Sequence, residues 1–419
     1  MNVTTPLFSL DHDALLDSLA NTDDLLIIQD LDGVCMELVS DPLTRRLPPN
    51  YLLAARQLHG HFQVLSNGEH IGSRGVNRLV EQAFGSAATC AEQALYLPGL
   101  AAGGVQLQDA KGQVSHPGVS EQELDFLAGV PQRLHSALQK RLVQPPYTLE
   151  PQTIKRLLAS SVLDNPVSPT LNLNTFYHHW RDQPGHYAQL QLDAAALMQD
   201  LLQGAREQGL GDAFFIHYAP NLGRDAQGNE RLRPAEPGSA GTTDIQLMLR
   251  GAIKEVGVLA LLNGHYQRRT GHFPLGADFN VRQAPQDLDA LLQLALEHFD
   301  PQHMPRLVGV GDTLSSAPDS TPGSWLRGGS DRGFLSLVQR LGKTFKRDNR
   351  VLYVDSSRGE VQRPGIDLEH LQRQPDAPWL ALKGISDSDD PLQLNHLFTD
   401  GPRQYIDFFC QLAERRGRR

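Results

Sequence analysis

Apolar residues along this chain follow two rhythms. One is the short, mostly apolar run: Leu25–Gln29, Phe62–Leu65, Leu307–Val310 and Val351–Val354. Such runs read as strands of a parallel sheet, where helices cover both faces and leave neither side to water. The other is recurrence every three or four residues, the mark of a helix with one buried face. It predicts a leading helix over 8–19, with Leu15, Leu16 and Leu19 inward and Asp11 or Asp13 as its cap. It also predicts helices from Leu52 to His61, along Val76, Leu79, Val80 and Phe84, and along Phe334, Leu337, Val338 and Leu341, the last with Gly342 beyond its end. Strand and helix in alternation predict an α/β fold with a parallel sheet.

Beyond about Gly85 the alternation lapses. Val105–Gln108 and Val114 flank the turn Asp109-Ala110-Lys111-Gly112, and Phe214–Tyr218 leads towards a similar turn, Asp225-Ala226-Gln227-Gly228. Between them, Leu190, Ala194, Leu197 and Leu201 share a helix face from Tyr187 to Gln208, with Gly209 at its end. Strands and helices without regular alternation predict an inserted α+β unit. The expected division is a first core segment at about 1–84, the insert at about 85–243 and a second core segment at about 244–419. In that last segment Ile245–Leu249 reads as a strand turning at Arg250-Gly251, and Val256–Asn263 as a helix ending at Gly264. One long helix from Asp244 competes with this reading, and Gly251 counts against it.

Chemistry enters at the strand ends, where ligands collect in open α/β sheets. The first strand stops at Asp30-Leu31-Asp32-Gly33. Two carboxylates there suit a hard cation such as Mg²⁺, and they suit nucleophilic attack by one while the other handles protons. An acidic turn with no function is the plain alternative. The second strand ends in Ser66-Asn67-Gly68, Lys254 follows a strand-like run, and Asp312 closes Leu307–Gly311. Taken singly, Ser66 reads as a cap or turn serine, Lys254 as a solvated lysine and Asp312 as part of a Gly-Asp turn.

Composition narrows the classes. The chain has 419 residues and a formal net charge of −10, which argues against a nucleic-acid binder; that class shows a clustered basic face. The basic run Arg415 to Arg419 reads as a solvated terminus. Three scattered cysteines, Cys35, Cys90 and Cys410, offer neither a zinc pattern nor a disulfide framework, and Cys35 beside the acidic turn reads as a small buried residue. The N-terminal stretch lacks a signal-peptide pattern and no apolar run is long enough for a bilayer, so the expectation is a soluble, cytoplasmic protein with no membrane partner.

Taken in order, D-L-D-G-V at Asp30, V-L-S-N-G at Ser66, I-K-E-V-G at Lys254 and V-G-D-T at Asp312 resemble the four motifs of the haloacid dehalogenase superfamily of phosphotransferases. Longer phrases, Leu65 to His70, Tyr96 to Leu100 and His217 to Asp225, resemble the glucosylglycerol-phosphate phosphatase family within it. The resemblance implies a Rossmann-like, haloacid dehalogenase-like core with an inserted cap. It also implies a Mg²⁺-dependent phosphatase that makes the osmolyte glucosylglycerol under salt stress. On that pattern Asp30 is the nucleophile and Asp32 the general acid and base, binding metal through its main-chain carbonyl. Ser66 and Lys254 hold the phosphoryl group and balance its charge, and Asp30 and Asp312 are side-chain metal ligands.

The family's second acid after Asp312 is displaced here, because Ser315 to Gly329 reads as an inserted loop. Asp331 either supplies that acid or caps the helix that follows. A cap closing over the site would carry specificity. The expected substrate-binding residues are Asn67, Gly68, Glu69, His70, His217, Asn221, Arg224, Asp225 and Thr243, with Asp225 equally suited to starting its turn and Thr242, Thr243 and Asp244 to lining the hinge. Two other readings stand beside this one: a phosphatase for a different phosphosugar, such as a disaccharide phosphate, and a phosphosugar-binding protein without catalysis. The pair Asp30/Asp32 disfavours the latter, since a mere binder gains little from crowding two carboxylates.

Overall fold

What makes Leu25–Gln29 a central strand is visible in what covers it. In the computed structural model, which describes residues 8–236, 238–321, 323–374 and 377–418, this segment is β1 and is buried throughout. Its side chains alternate between two core clusters: Leu26 and Ile28 join one, Leu25 and Ile27 the other. The chain continues through β2 (Phe62–Leu65), β3 (Gly99–Ala101), β4 (Gln106–Gln108) and β5 (Val114–Ser115). It then forms β6 (Val162–Leu163), β7 (Thr170–Asn172), β8 (Phe214–Ala219), β9 (Asn221–Arg224), β10 (Glu230–Leu232) and β11 (Asp244–Leu249). The last strands are β12 (Arg306–Gly311), β13 (Ser315–Pro318), β14 (Trp325–Gly328), β15 (Arg350–Val354) and β16 (His396–Phe398).

Eight strands form the main sheet, in the order β16-β15-β12-β1-β2-β3-β4-β5. Neighbours from β16 to β3 are parallel, and β4 and β5 extend the edge antiparallel. Helices Lys254–Thr270 and Arg332–Phe345 pack in one core cluster; His12–Ala20, Pro49–Gln57 and Pro402–Gly417 pack in the other. This is the expected α/β class. β1 pairs with β2 on one side and with β12 on the other, so the loops beyond their carboxyl ends diverge and leave a crevice.

The cap is a four-stranded antiparallel sheet, β6-β7-β11-β8, which packs against helix Pro184–Glu207. Sheet membership moves both expected boundaries, 85 and 243, later in the chain. β3 to β5 belong to the main sheet, because β3 pairs with β2 and the Asp109–Gly112 turn folds β5 back on β4. β11 belongs to the cap, where it pairs with β8 from Asp244↔Ala219 to Leu249↔Phe214. A strand buried on both faces looks the same in sequence at the centre of either sheet.

Other expectations shift for local reasons. The helix expected to stop at Gly264 runs to Thr270 and ends at Gly271, φ +79. Its buried residues, among them Leu261, Leu262, His265 and Tyr266, outweigh the cost of continuing through Gly264, about 1 kcal/mol. Gly342 lies inside its helix, where a Cβ would come 2.7 Å from Asn349 Cβ. Ser315–Gly329 contains the β13–β14 hairpin rather than an open loop. Asp11, not Asp13, caps the first helix, its carboxylate accepting from Ala14 N at 2.9 Å. The C-terminal arginines are docked rather than solvated: Arg415 pairs with Asp17, and Arg416 donates to the carbonyls of Leu19 and Thr22. Arg419, the end of that run, lies outside the described residues.

Candidate active site

The carboxyl ends of β1 and β12 bring Asp30 and Asp312 together, and Asp331 joins them from the start of the helix after β14. One carboxylate oxygen from each lies within 4.8 Å of the others. Glycines make this approach possible. Gly33 has φ +78, and a Cβ there would fall 2.1 Å from Asp312 Oδ2; a Cβ on Gly311 would fall 2.7 Å from Asp331 Oδ2. Asp331 occupies the helix N-cap position without a side-chain capping bond. Its Oδ2 accepts instead from the amides of Asp312 and Thr313, both at 2.9 Å.

Lys254, the first residue of its helix, sits between two of these acids. Its Nζ is 2.9 Å from Asp30 Oδ2 and 2.7 Å from Asp331 Oδ1. Burial pushes the Asp30 carboxyl up to about 7, with Lys254 opposing and Asp331 adding to the rise. Burial, then Asp331 and Asp30, push Asp312 well above the carboxylate range. Burial works against the charge on Lys254, but Asp30 and Asp331 more than offset it and raise its ammonium above the usual value. The cluster therefore holds more negative charge than a single lysine neutralises.

Asp32 stands two residues on and faces the same cleft. Arg45 Nη1 donates to both its oxygens, at 3.1 and 3.0 Å. Ser66 is buried at the end of β2, where its Oγ accepts from Gly68 N at 3.1 Å. Ser66, Asn67 and Gly68 line the cleft with Asp30, Asp32 and Lys254, enclosing a volume of about 150 Å³.

The other expected contacts divide by what already holds them. Glu69 touches the cleft, but its Oε1 accepts from Val167 N, Ser168 N and Ser168 Oγ, and its Oε2 from Gln106 Nε2. It is a joint between the β2 loop and the cap segment. His70 is fully buried against Gly99 O and Gln108, away from the cleft, because the β3–β4 hairpin covers it. Asn67 Nδ2 donates to His217 Nε2 at 2.8 Å, and His217 Nδ1 donates to Glu230 at 2.8 Å; these partners select the Nδ1-protonated tautomer. Asn221 ties the cap to the β13–β14 hairpin, its Oδ1 accepting from the amides of Gly223 and Gly329. Arg224 is half-exposed and donates to Gly228 O. Asp225 is exposed and organises its turn, accepting from Gln227 N and Asn229 N. Thr243 is buried beside Asp244 and accepts from Arg363. Asp244 pairs within the cap sheet rather than marking a hinge.

Arg45, Arg363, Asn172, Asp244 and Gln246 also line the cleft. No motif announced any of them as a contact. The one readable signal was alternation in β11, which turns residues 244 and 246 to one face.

The acid cluster fits a hard divalent cation. Its donors are all carboxylate oxygens, and Asp312 Oδ2 is buried with no hydrogen-bond partner, a costly arrangement unless something else binds it. Asp30, Asp312 and Asp331 would hold such an ion. The Asp32 side chain, gripped by Arg45, is outside this group.

A parallel sheet with an acidic crevice at its switch point, under an inserted antiparallel cap, defines a capped α/β protein with a buried acidic site at the carboxyl ends of its strands. Residues 24–413 match the family described as glucosylglycerol-phosphate phosphatase. The glucosylglycerol-phosphate phosphatase of Synechocystis sp. is 51% identical over 411 residues, covering 98% of this chain and 97% of that protein. The chain belongs to the glucosylglycerol-phosphate phosphatase family, and with it to the phosphoric monoester hydrolases. Solved structures are more distant. The C-terminal domain of Candida albicans trehalose synthase regulatory protein superposes with TM-score 0.47 at 10% identity, covering 97% of this chain and 99% of that one. The C-terminal domain of trehalose-6-phosphate phosphatase from C. albicans gives 0.43 at 12% identity, covering 99% of each. Likeness at that level carries no argument about the site.

Proposed function

We propose that this enzyme hydrolyses glucosylglycerol 3-phosphate to glucosylglycerol and phosphate, through an aspartyl-phosphate on Asp30. The observation that carries the reading is the buried carboxylate cluster of Asp30, Asp312 and Asp331, in which Asp312 Oδ2 has no hydrogen-bond partner, in a chain 51% identical to a phosphatase named for that substrate. An Asp30 oxygen attacks phosphorus, and the bond to the sugar-side oxygen breaks. Asp32 gives that oxygen a proton; it then takes one from water, which attacks the phosphorus of the acyl phosphate and frees Asp30. Arg45 keeps Asp32 pointed into the cleft, Ser66 and Asn67 hold phosphoryl oxygens, and Lys254 balances the charge gathered on Asp30 and phosphate. Mg²⁺ bound by Asp30, Asp312 and Asp331, with the Asp32 carbonyl, would supply the positive charge that lets one anion approach another.

The biological role that follows is osmolyte synthesis under salt stress, in the cytoplasm. Three free, separated cysteines are in keeping with a reducing compartment, and no described helix is long and apolar enough to cross a membrane. The test is direct: incubate the purified protein with glucosylglycerol phosphate and Mg²⁺ and measure free phosphate. Release that stops with chelator and is absent in Asp30→Asn is expected. Binding of the ester without release would replace this reading with that of a phosphosugar-binding protein.

A further inference from the structure

The cap sheet turns one face to its helices and the other to the cleft. On β11, Ile245, Leu247 and Leu249 are fully buried in the apolar core, while Asp244 and Gln246 line the cleft. Register places Asn172 of β7 opposite Asp244. Asn172 Nδ2 donates to Asp244 Oδ1 at 2.9 Å, and Thr243 Oγ1 donates to Asp244 Oδ2 at 3.0 Å. Two buried polar atoms here lack partners. Gln246 is 7% exposed, and its Oε1 accepts nothing. Arg363, on the core loop after β15, leaves its Nε unbonded and makes one hydrogen bond among the described residues, from Nη2 to Thr243 Oγ1 at 3.3 Å. Buried polar atoms in folded proteins are almost all satisfied. Here two unsatisfied ones line a single cleft, one from the cap and one from the core.

We propose that Asn172, Asp244, Gln246 and Arg363 form the site that grips the uncharged, hydroxyl-rich group of the substrate. This rests on the phosphatase reading above, which puts the phosphoryl group against Asp30 on the core side. The donor and acceptor set fits hydroxyls, each of which both gives and accepts a hydrogen bond: Asp244 and Gln246 Oε1 accept, Arg363 donates, and the amides do both. A second anionic group would meet the Asp244 carboxylate, with one guanidinium to set against it. An apolar group would leave Gln246 Oε1 and Arg363 Nε unbonded. Because Arg363 comes from the core and the other three from the cap, the grip also ties the two units across the bound ligand.

The test compares two esters that share the reacting group and differ in the rest: glucosylglycerol phosphate and glycerol 3-phosphate. The readout is the ratio of their kcat/KM values in the full-length enzyme. Gln246→Leu and Arg363→Met are each expected to lower that ratio about tenfold or more, with KM for the glycosyl ester rising. A ratio that stays constant while both activities fall would overturn the proposal, since a structural or catalytic role hits both esters alike. So would a wild-type ratio near one, or a bisphosphate as the best substrate. If Gln246→Leu does not fold, Arg363→Met on the other unit gives the same readout. If wild type prefers another phosphosugar, the substrate assignment above fails and the ratio is measured on that sugar instead. If wild type hydrolyses no ester, the phosphatase reading and this proposal fall together.

Discussion

Two buried carboxylate sites meet at the core–cap junction, and they end differently. At Glu69, four donors from the cap segment and from Gln106 satisfy the charge. At the Asp30–Asp312–Asp331 cluster, one lysine reaches two of the three acids, and Asp312 Oδ2 has no partner. Burial pushes both Glu69 and Asp30 up to about 7, so a raised pKa does not separate them. The spare bonding capacity does. A completed site holds the fold together; an incomplete one is poised to take a ligand. Glu230 belongs with Glu69: burial pushes its carboxyl up, but His217 and Arg224 more than offset that and hold it below the usual range.

Substitutions sharpen the contrast, because the two sites should fail in different observables. Asp30→Asn is expected to abolish turnover, by roughly 10⁴-fold or more, while chemical denaturation shows the fold retained. Lys254→Met is expected to lower kcat by about 10²- to 10³-fold, since it removes a fixed positive charge from the reacting centre. Glu69→Ala reverses the pattern. Three donors from Val167 and Ser168 lose their acceptor, so stability should drop by about 3 kcal/mol in urea titrations, with kcat changed far less than in either variant above. An unchanged denaturation midpoint in Glu69→Ala would erase the distinction.

The smallest effect is a pH slope. The folded-state value for Glu69, about 7, lies above the ordinary 4.5, so the folded protein binds the more protons between them. Its contribution to stability is fully present below about 4.5 and is lost as pH rises through about 7. Comparing Tm of wild type and Glu69→Gln across that window should show the flatter profile in the variant; parallel profiles would remove Glu69 from the account.

The sequence made the core chemistry readable because strand ends are punctuated. An apolar run stopping at Asp30-Leu31-Asp32-Gly33 or at Gly311-Asp312 announces both the strand and its loop. Asp331 was left open, since the same Asp before a helix serves as cap or ligand; its bonds to Lys254 and to the amides of Asp312 and Thr313, in place of a capping bond, come from segments that its own stretch of sequence does not announce. His70 misled because adjacency in sequence to Ser66 is not adjacency to the cleft, and the β3–β4 hairpin folds over it; Glu69 reaches the cleft, but its oxygens are taken by Val167, Ser168 and Gln106. Arg45 and Arg363 were silent, because an isolated arginine in a loop carries no period, and nothing local marks Asp32 or the distant Thr243 as its partner.

The central claim is that the cluster of Asp30, Asp312 and Asp331 binds a divalent cation. Titration of the metal-free protein with Mn²⁺, followed by electron paramagnetic resonance of the free ion, tests it without reference to turnover. The expected result is one tightly held ion per chain in wild type and Glu69→Ala, with that binding lost in Asp312→Asn. Equal binding by wild type and Asp312→Asn would contradict the account.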